Sequence, residues 1–410
     1  MRFPFLFSFP FSFALCFRFF FLLFSFLFLF FGLSFAKHLA LNESFITLQK
    51  ALDPKLQEIV KNGVMHNYYK KQSNLKALKK KLALNKGLKI MILGDSHVAG
   101  DVFSRRLREI LGANSAGFIY PAFPKYHYSH FLDIKSSNFE IINSIKSQDE
   151  NFPFGGVIAR AKNSNAIITI AQNAATNEIQ NVQFVFYAPN LLAAFSITDS
   201  NGRKIYLSSK NPKKWDISKS YELKLPLQIN ALIRDAKLGG YFMQSNSPSY
   251  IYHAGINGAK SSLYQKWDKA FVQDELKILN HDLVILSYGT NDILASPDRN
   301  EFKKTYKALI RMLRSANPKA VFVLISPPPV YQEGKNKMVS NYKSIKDAIK
   351  EIASDLEISL FDINELVKKT GSKQRWISLK ISQKDVHLTP LGYRIIADSL
   401  YYSLIKMLNL

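Results

Sequence analysis

Four short stretches of the chain carry residues that could do chemistry together: Gly94-Asp95-Ser96-His97, Gly255-Ile256-Asn257-Gly258, Gly289-Thr290-Asn291-Asp292 and Asp385-Val386-His387. Ser96 lies between a short apolar run and a helical one. A serine at such a turn exposes its hydroxyl, and the backbone N–H groups beside it point out of a helix N-terminus. A serine hydroxyl needs a base before it can attack, and His387 is the residue type for that task. An imidazole works as a base when a carboxylate holds its other nitrogen, and Asp385 is close by in sequence. Acyl attack makes an oxyanion, for which the Ser96 N–H, the Gly258 N–H and the Asn291 amide are the expected donors. Each donor of that kind typically lowers the barrier by about 3 kcal/mol. His97, which ends the first stretch, either faces substrate or helps cap its helix, and Tyr288, just before the third, is the other residue expected to touch substrate. The chemistry calls for no metal and no cofactor. A lone Gly-Asp-Ser is a common turn, so the force of the reading lies in the conjunction and order of the four stretches.

The elements that must position these groups read as an α/β domain. Leu88–Leu93 is a continuous apolar run ending at Gly94-Asp95-Ser96, with a helical stretch over Ala99–Leu111 behind it. A buried strand, a tight turn and a helix begin a parallel α/β unit. The rhythm resumes with SYIYHAGI ending at Gly255, LVILSYG, AVFVLISP and ISLFDI, each followed by a helical pattern. The last helix opens on Thr389-Pro390, an N-cap followed by proline at the first helical position. This predicts five strands in an open, doubly wound parallel sheet, whose active groups sit at the carboxyl ends of the strands. Between 121 and 250 the texture changes to short β-rich runs separated by Asn, Asp, Gly, Ser and Pro, which predicts an inserted all-β sandwich or jelly roll. Residues 37–86 read as helical, with one break near Asn62-Gly63. The expected domain layout is therefore 87–120 and 251–410 for the two parts of the α/β domain and 121–250 for the insert.

The chain has 410 residues, one cysteine (Cys16) and a net charge of +24. No intrachain disulfide is possible, and 47% hydrophobic residues exclude wholesale disorder. Sixteen of the 32 phenylalanines fall in residues 1–36. There Arg18 precedes the apolar run Phe19–Phe35, and small residues at Ser34 and Ala36 end it. That is the layout of a secretory signal, or of an uncleaved anchor. Without its two arginines the body still carries +22. No zinc-finger spacing or aromatic-basic RNA motif accompanies that charge, so nucleic acid is not the expected partner. Lys79-Lys80-Lys81 reads as a solvated helix face, with membrane-surface contact through the N-terminal segment as the alternative. His127 and His130 stand three apart, and no third metal ligand is suggested.

Taken together, the four stretches resemble the SGNH (GDSL-type) hydrolase superfamily, in which Ser, Gly, Asn and His come from four separate blocks. Here those are Ser96, Gly258, Asn291 and His387. GDSH, GINGA before a helix, YGTN, AGFIYP and FGGVIAR resemble one branch, the periplasmic peptidoglycan O-acetylesterases, whose β-insert is carbohydrate-binding-like. The resemblance covers about 87–410. It implies a flavodoxin-like sheet, a Ser96–His387–Asp385 triad and O-acetylated peptidoglycan glycan strands as partner, in the periplasm. One departure stands out. The superfamily spaces its pair as Asp-x-x-His, whereas here one residue separates Asp385 from His387. The residues leave three other readings open: an O-acetyltransferase using the same triad, an esterase for another acyl sugar, and a non-catalytic envelope glycan-binding protein.

Overall fold

The structure is a computed structural model that describes residues 45–84, 87–173, 178–332 and 337–410. The expected signal or anchor lies outside the described residues. Leu52–Leu410 forms one compact unit. Residues 45–50, outside it, are helical. Among the described residues no helix is long and apolar enough to cross a membrane.

One six-stranded sheet carries the α/β part. Its spatial order is Met65–Asn67, Ser359–Phe361, Val321–Ile325, Leu283–Ser287, Lys89–Gly94, Tyr250–Gly255. The last five strands are parallel, and their order reverses around Lys89–Gly94, as in a flavodoxin-like doubly wound sheet. The three central strands, Lys89–Gly94, Leu283–Ser287 and Val321–Ile325, are near-continuous apolar runs because both faces are covered. Helices Val102–Leu111 and Pro390–Leu408 pack together on one face; Lys269–Leu279, Arg299–Ala316 and Tyr342–Asp355 pack in succession on the other. Fully burying side chains such as Ile92, Val284 and Phe322 contributes about 1.5–3 kcal/mol each.

Three details differ from the sequence-based expectation. Residues 37–86 are not all helical. Met65–Asn67 is a sixth strand, antiparallel to Ser359–Phe361, set between helices Pro54–Lys61 and Ser73–Leu84. Three residues carry too little period-2 signal to declare themselves, and the sheet edge supplies the missing partner. The helix over Ala99–Leu111 is broken at Gly100-Asp101, where Asp101 sits at φ 57° and its buried carboxylate accepts from Arg108, Ser104 and the His130 N–H. The β-insert begins earlier than 121, because Gly117–Ile119 already pairs with Lys237–Gln244.

The insert is a sandwich of two antiparallel sheets. One has the order Lys204–Leu207, Phe195–Thr198, Leu227–Ala231, Ile167–Gln172, Leu132–Ser137. The other has Trp215–Ile217, Ile179–Tyr187, Lys237–Gln244, Val157–Ala161, Phe139–Asn143. Inward residues such as Ile168, Ile170, Phe184, Phe195 and Ile229 alternate with outward ones and fill its core.

Candidate active site

Register alone brings three strand ends into one row. Gly94 pairs with Gly255 on one side and with Ser287 on the other, so the loops that follow these strands must converge. Gly255 permits the closest approach. A Cβ there would stand 2.7 Å from Ala99 N and 2.9 Å from Val98 Cβ, in the turn that carries Ser96. Ser96 opens the short helix Ser96–Ala99, so its N–H has no acceptor within that helix. Asp95 caps the helix through a 3.0 Å bond from the His97 N–H.

Ser96 Oγ lies 3.0 Å from His387 Nε2, and His387 Nδ1 lies 2.7 Å from Asp385 Oδ2. A carboxylate only accepts, so Nδ1 carries the ring proton and Nε2 presents its lone pair to the serine. The shortened spacing works because Asp385 folds back on its own loop: Oδ1 accepts the His387 N–H at 2.9 Å while Oδ2 takes the ring. Lys373 donates to the Asp385 carbonyl and steadies the loop from behind. Burial opposes charge on Asp385, but the bonds from His387 and the charges of His387 and Lys373 outweigh it and hold the carboxyl below its usual range. Serine, neutral imidazole and carboxylate so linked can deliver an alkoxide to an acyl carbon and return the proton to a leaving alcohol.

Asn291 is the second residue of helix Thr290–Ala295. Its amide nitrogen lies 3.0 Å from the Ala259 carbonyl and 3.3 Å from Asp95 Oδ2. Gly258 occupies the neighbouring turn at φ 80°, closed by a 3.0 Å bond from Ala259 N to Ile256 O, and is exposed. The next residue along, Asp292, accepts from both the N–H and the hydroxyl of Ser261, at 3.1 and 2.8 Å. Asn291 and Asp292 together thus fasten the Gly258 turn against the serine loop.

Two expectations change. Tyr288 is only 5% exposed and packs edge-to-face on Tyr306 in the apolar core, so it has no free face for substrate. His97 has both ring nitrogens engaged, Nδ1 with Tyr393 OH and Nε2 with Thr290 Oγ1, each at 3.1 Å. Burial first, then the charge of His387, pushes its pKa down to about 3, so it bridges loop and last helix as a neutral ring. Sequence reasoning missed Thr290, Tyr393, Lys373 and Asp292, whose types are ordinary and whose roles exist only through proximity. It also passed over Asp95. Burial and the charge of Asp292 push that carboxyl up to about 7.

Among the described residues one group has metal-ligating side chains close together, His66, Asp362 and Glu365, within 4.8 Å of one another. Asp362 already caps helix Ile363–Lys369 and accepts from Ser326, and His66 pairs with Glu365 at 2.9 Å. His127 donates from Nε2 to the Gly255 carbonyl at 2.8 Å, behind the site.

A groove of about 800 Å³ runs beside the Gly258 turn. Its walls are the 123–127 loop, the 140–150 hairpin of the sandwich, and Ile256 and Asn257. Ile145 Cδ1 lies 3.5 Å from the point where a Gly258 Cβ would stand.

Residues 115–228 match the peptidoglycan O-acetylesterase N-terminal family, and residues 235–395 match the GDSL-like lipase/acylhydrolase family. No curated protein sequence matches the chain. Among solved structures, a peptidoglycan O-acetylesterase superposes with a TM-score of 0.71 at 23% identity, over 84% of this chain and 99% of that one. An acetyl xylan esterase is 21% identical over 37% of this chain and 79% of its own, with a TM-score of 0.30. The fold is therefore that of the superposed esterase, an α/β domain with an inserted β-domain, and two segments of the chain match, in order, the peptidoglycan O-acetylesterase N-terminal family and the GDSL-like lipase/acylhydrolase family.

Proposed function

We propose that the protein is a serine esterase that removes O-acetyl groups from the muramic acid C6 hydroxyl of peptidoglycan. His387 takes the Ser96 proton and Ser96 Oγ attacks the acetyl carbonyl. The oxyanion rests on the Ser96 N–H, the Gly258 N–H and the Asn291 amide, which turns from Ala259 and Asp95 to the new charge. The C–O bond to the sugar breaks, His387 protonates the leaving alcohol, and water activated by the same imidazole frees acetate from Ser96. The observation that carries this reading is the unbroken Ser96–His387–Asp385 hydrogen-bond chain in a polypeptide whose residues 115–228 match a peptidoglycan O-acetylesterase domain. The groove beside Gly258, walled partly by the sandwich, supports a polymeric substrate.

Hydrolysis is favoured over transfer to a sugar by the exposure of the dyad. The His387 and Asp385 side chains are 35% and 57% exposed, which leaves the acyl-serine open to water. The periplasm is the compartment where such a substrate lies. The test is acetate release from O-acetylated peptidoglycan by the full-length chain and by Ser96→Ala. Release that vanishes in the variant is expected. Glycan binding by both proteins without release would overturn the reading, and cleavage of small acetyl esters alone would leave the triad standing with a different substrate.

A further inference from the structure

Five connections of the sandwich gather at one end. The pairings Leu207↔Phe195, Ala231↔Phe195, Asn230↔Ile167 and Ser137↔Ile167 place those termini together in one sheet. Trp215↔Tyr187, Lys237↔Tyr187 and Phe139↔Ala161 do the same in the other. The tip is therefore built from Asn138 and the loops 162–166, 188–194, 208–214 and 232–236. Backbone bonds tie them: Lys213 N to Ala188 O, Leu232 N to Ala194 O, and Asp235 N to Ala161 O. Gly117, Leu132 and Gln244, where strands of the sandwich begin or end next to the α/β part, lie at the opposite end.

The composition of this tip is unusual for a solvated loop cluster. Leu191 and Leu192 are adjacent and 69% and 67% exposed, and Leu232 is 40% exposed. An Asx-type turn, with Asn190 Oδ1 accepting the Leu192 N–H at 2.9 Å, fixes the apex that carries the first two. Around them stand Lys162, Lys210, Lys213, Lys214 and Arg234, with Asp235 the only acid in these loops. Among the described residues none of those lysines has an ion-pair partner. The cations just behind the tip behave differently: Arg160 and Lys237 are both paired, with Glu140 and Glu150. Uncompensated charge therefore stands beside the exposed leucines.

We propose that this tip docks on an anionic lipid bilayer, the leucines entering the interfacial region and the ring of cations facing the headgroups. Exposed aliphatic side chains gathered within a cationic rim are complementary to such a surface. A glycan would instead call for aromatic faces and paired hydrogen-bonding groups, and the tip loops hold no aromatic residue. The proposal is independent of the esterase reading and concerns a surface on the other end of the sandwich.

The apolar start of the chain can bind lipid by itself, so the readout must be local to the tip. Leu192→Trp in the full-length chain reports that site, with the unsubstituted chain subtracting the native tryptophans. With phosphatidylcholine vesicles containing phosphatidylglycerol, the new indole shifts to shorter emission wavelengths and is quenched by brominated acyl chains. With phosphatidylcholine alone it is not. Adding Lys210→Glu, Lys213→Glu and Lys214→Glu weakens the quenching titration at least about tenfold while esterase activity is kept. An indole that stays solvent-like on anionic vesicles overturns the proposal, even if the protein sediments with them. A shift on O-acetylated peptidoglycan but not on vesicles overturns it in favour of a glycan contact.

Discussion

Asp385 reaches His387 across a single intervening residue because one carboxylate serves the ring and the main chain of the same neighbour. Losing the carboxylate leaves the ring free to take the wrong tautomer. Asp385→Asn is therefore expected to lower kcat by about 10²–10⁴-fold with KM little changed. The carboxyl titrates below its ordinary range, so it stays ionised throughout the working pH range. Carboxyl NMR should accordingly find Asp385 ionised at about pH 5, and a carboxyl still protonated there would refute this. The structure brings Ser96 and His387 within 3.0 Å, a juxtaposition the sequence offered because their types are those the chemistry requires, one at a strand end and the other before the last helix. His97 and Tyr288 were not legible in the same way. Sequence adjacency to a reactive residue says nothing about which way a ring turns, and in this fold one is clasped between Thr290 and Tyr393 while the other points into the core.

Helices and turns position these side chains, and that positioning can be tested away from the chemistry. Gly255→Ala would press on Ala99 N and Val98 and displace the serine turn. It is expected to cost about 10²-fold in kcat with an unaltered circular dichroism spectrum. The nucleophile's second helix, Val102–Leu111, is fixed to the last helix by a buried two-pronged pair, Arg106 Nε and Nη2 with Asp398 Oδ1 and Oδ2 at 2.7 and 3.0 Å. Asp398→Ala leaves the buried guanidinium with Glu109 alone, 3.2 Å from Nη1, and urea unfolding should show a loss of about 3 kcal/mol. Glu275 makes the reverse case. It accepts the Phe154 N–H at 2.7 Å, and burial raises its carboxyl well above the usual value. A carboxyl raised on folding stabilises fully below its unfolded value, and that contribution is lost as pH rises through the folded one. Glu275→Gln keeps an acceptor and removes the titration. Its Tm should exceed the wild type's at alkaline pH by at least about 2 °C, and equal Tm values at about pH 9 would sink the idea.

At the scale of the molecule, an α/β sheet interrupted by a β-sandwich was readable because period and punctuation change abruptly along the chain. The seam was not: Gly117–Ile119 looks like any apolar triplet until Lys237–Gln244 pairs with it. The groove between the two parts implies that polymer and small ester are held differently. Ile145→Arg, on the sandwich side, should lower kcat/KM for O-acetylated peptidoglycan about tenfold and leave a small aryl acetate unaffected; parallel losses on both would show that the groove is not a polymer site. The strand Met65–Asn67 has a consequence in time rather than space. It comes early in the chain yet seals its edge of the sheet by pairing with Ser359–Phe361, close to the other end. A chain that emerges N-terminus first therefore carries this strand unpaired until nearly all of it has appeared. The long loop closure must come before the contact rewards it. Until then the edge of Ser359–Phe361's future neighbour cannot be sealed, so the α/β part completes late and as one event, and a partial chain is a substrate for chaperones and proteases rather than a smaller enzyme.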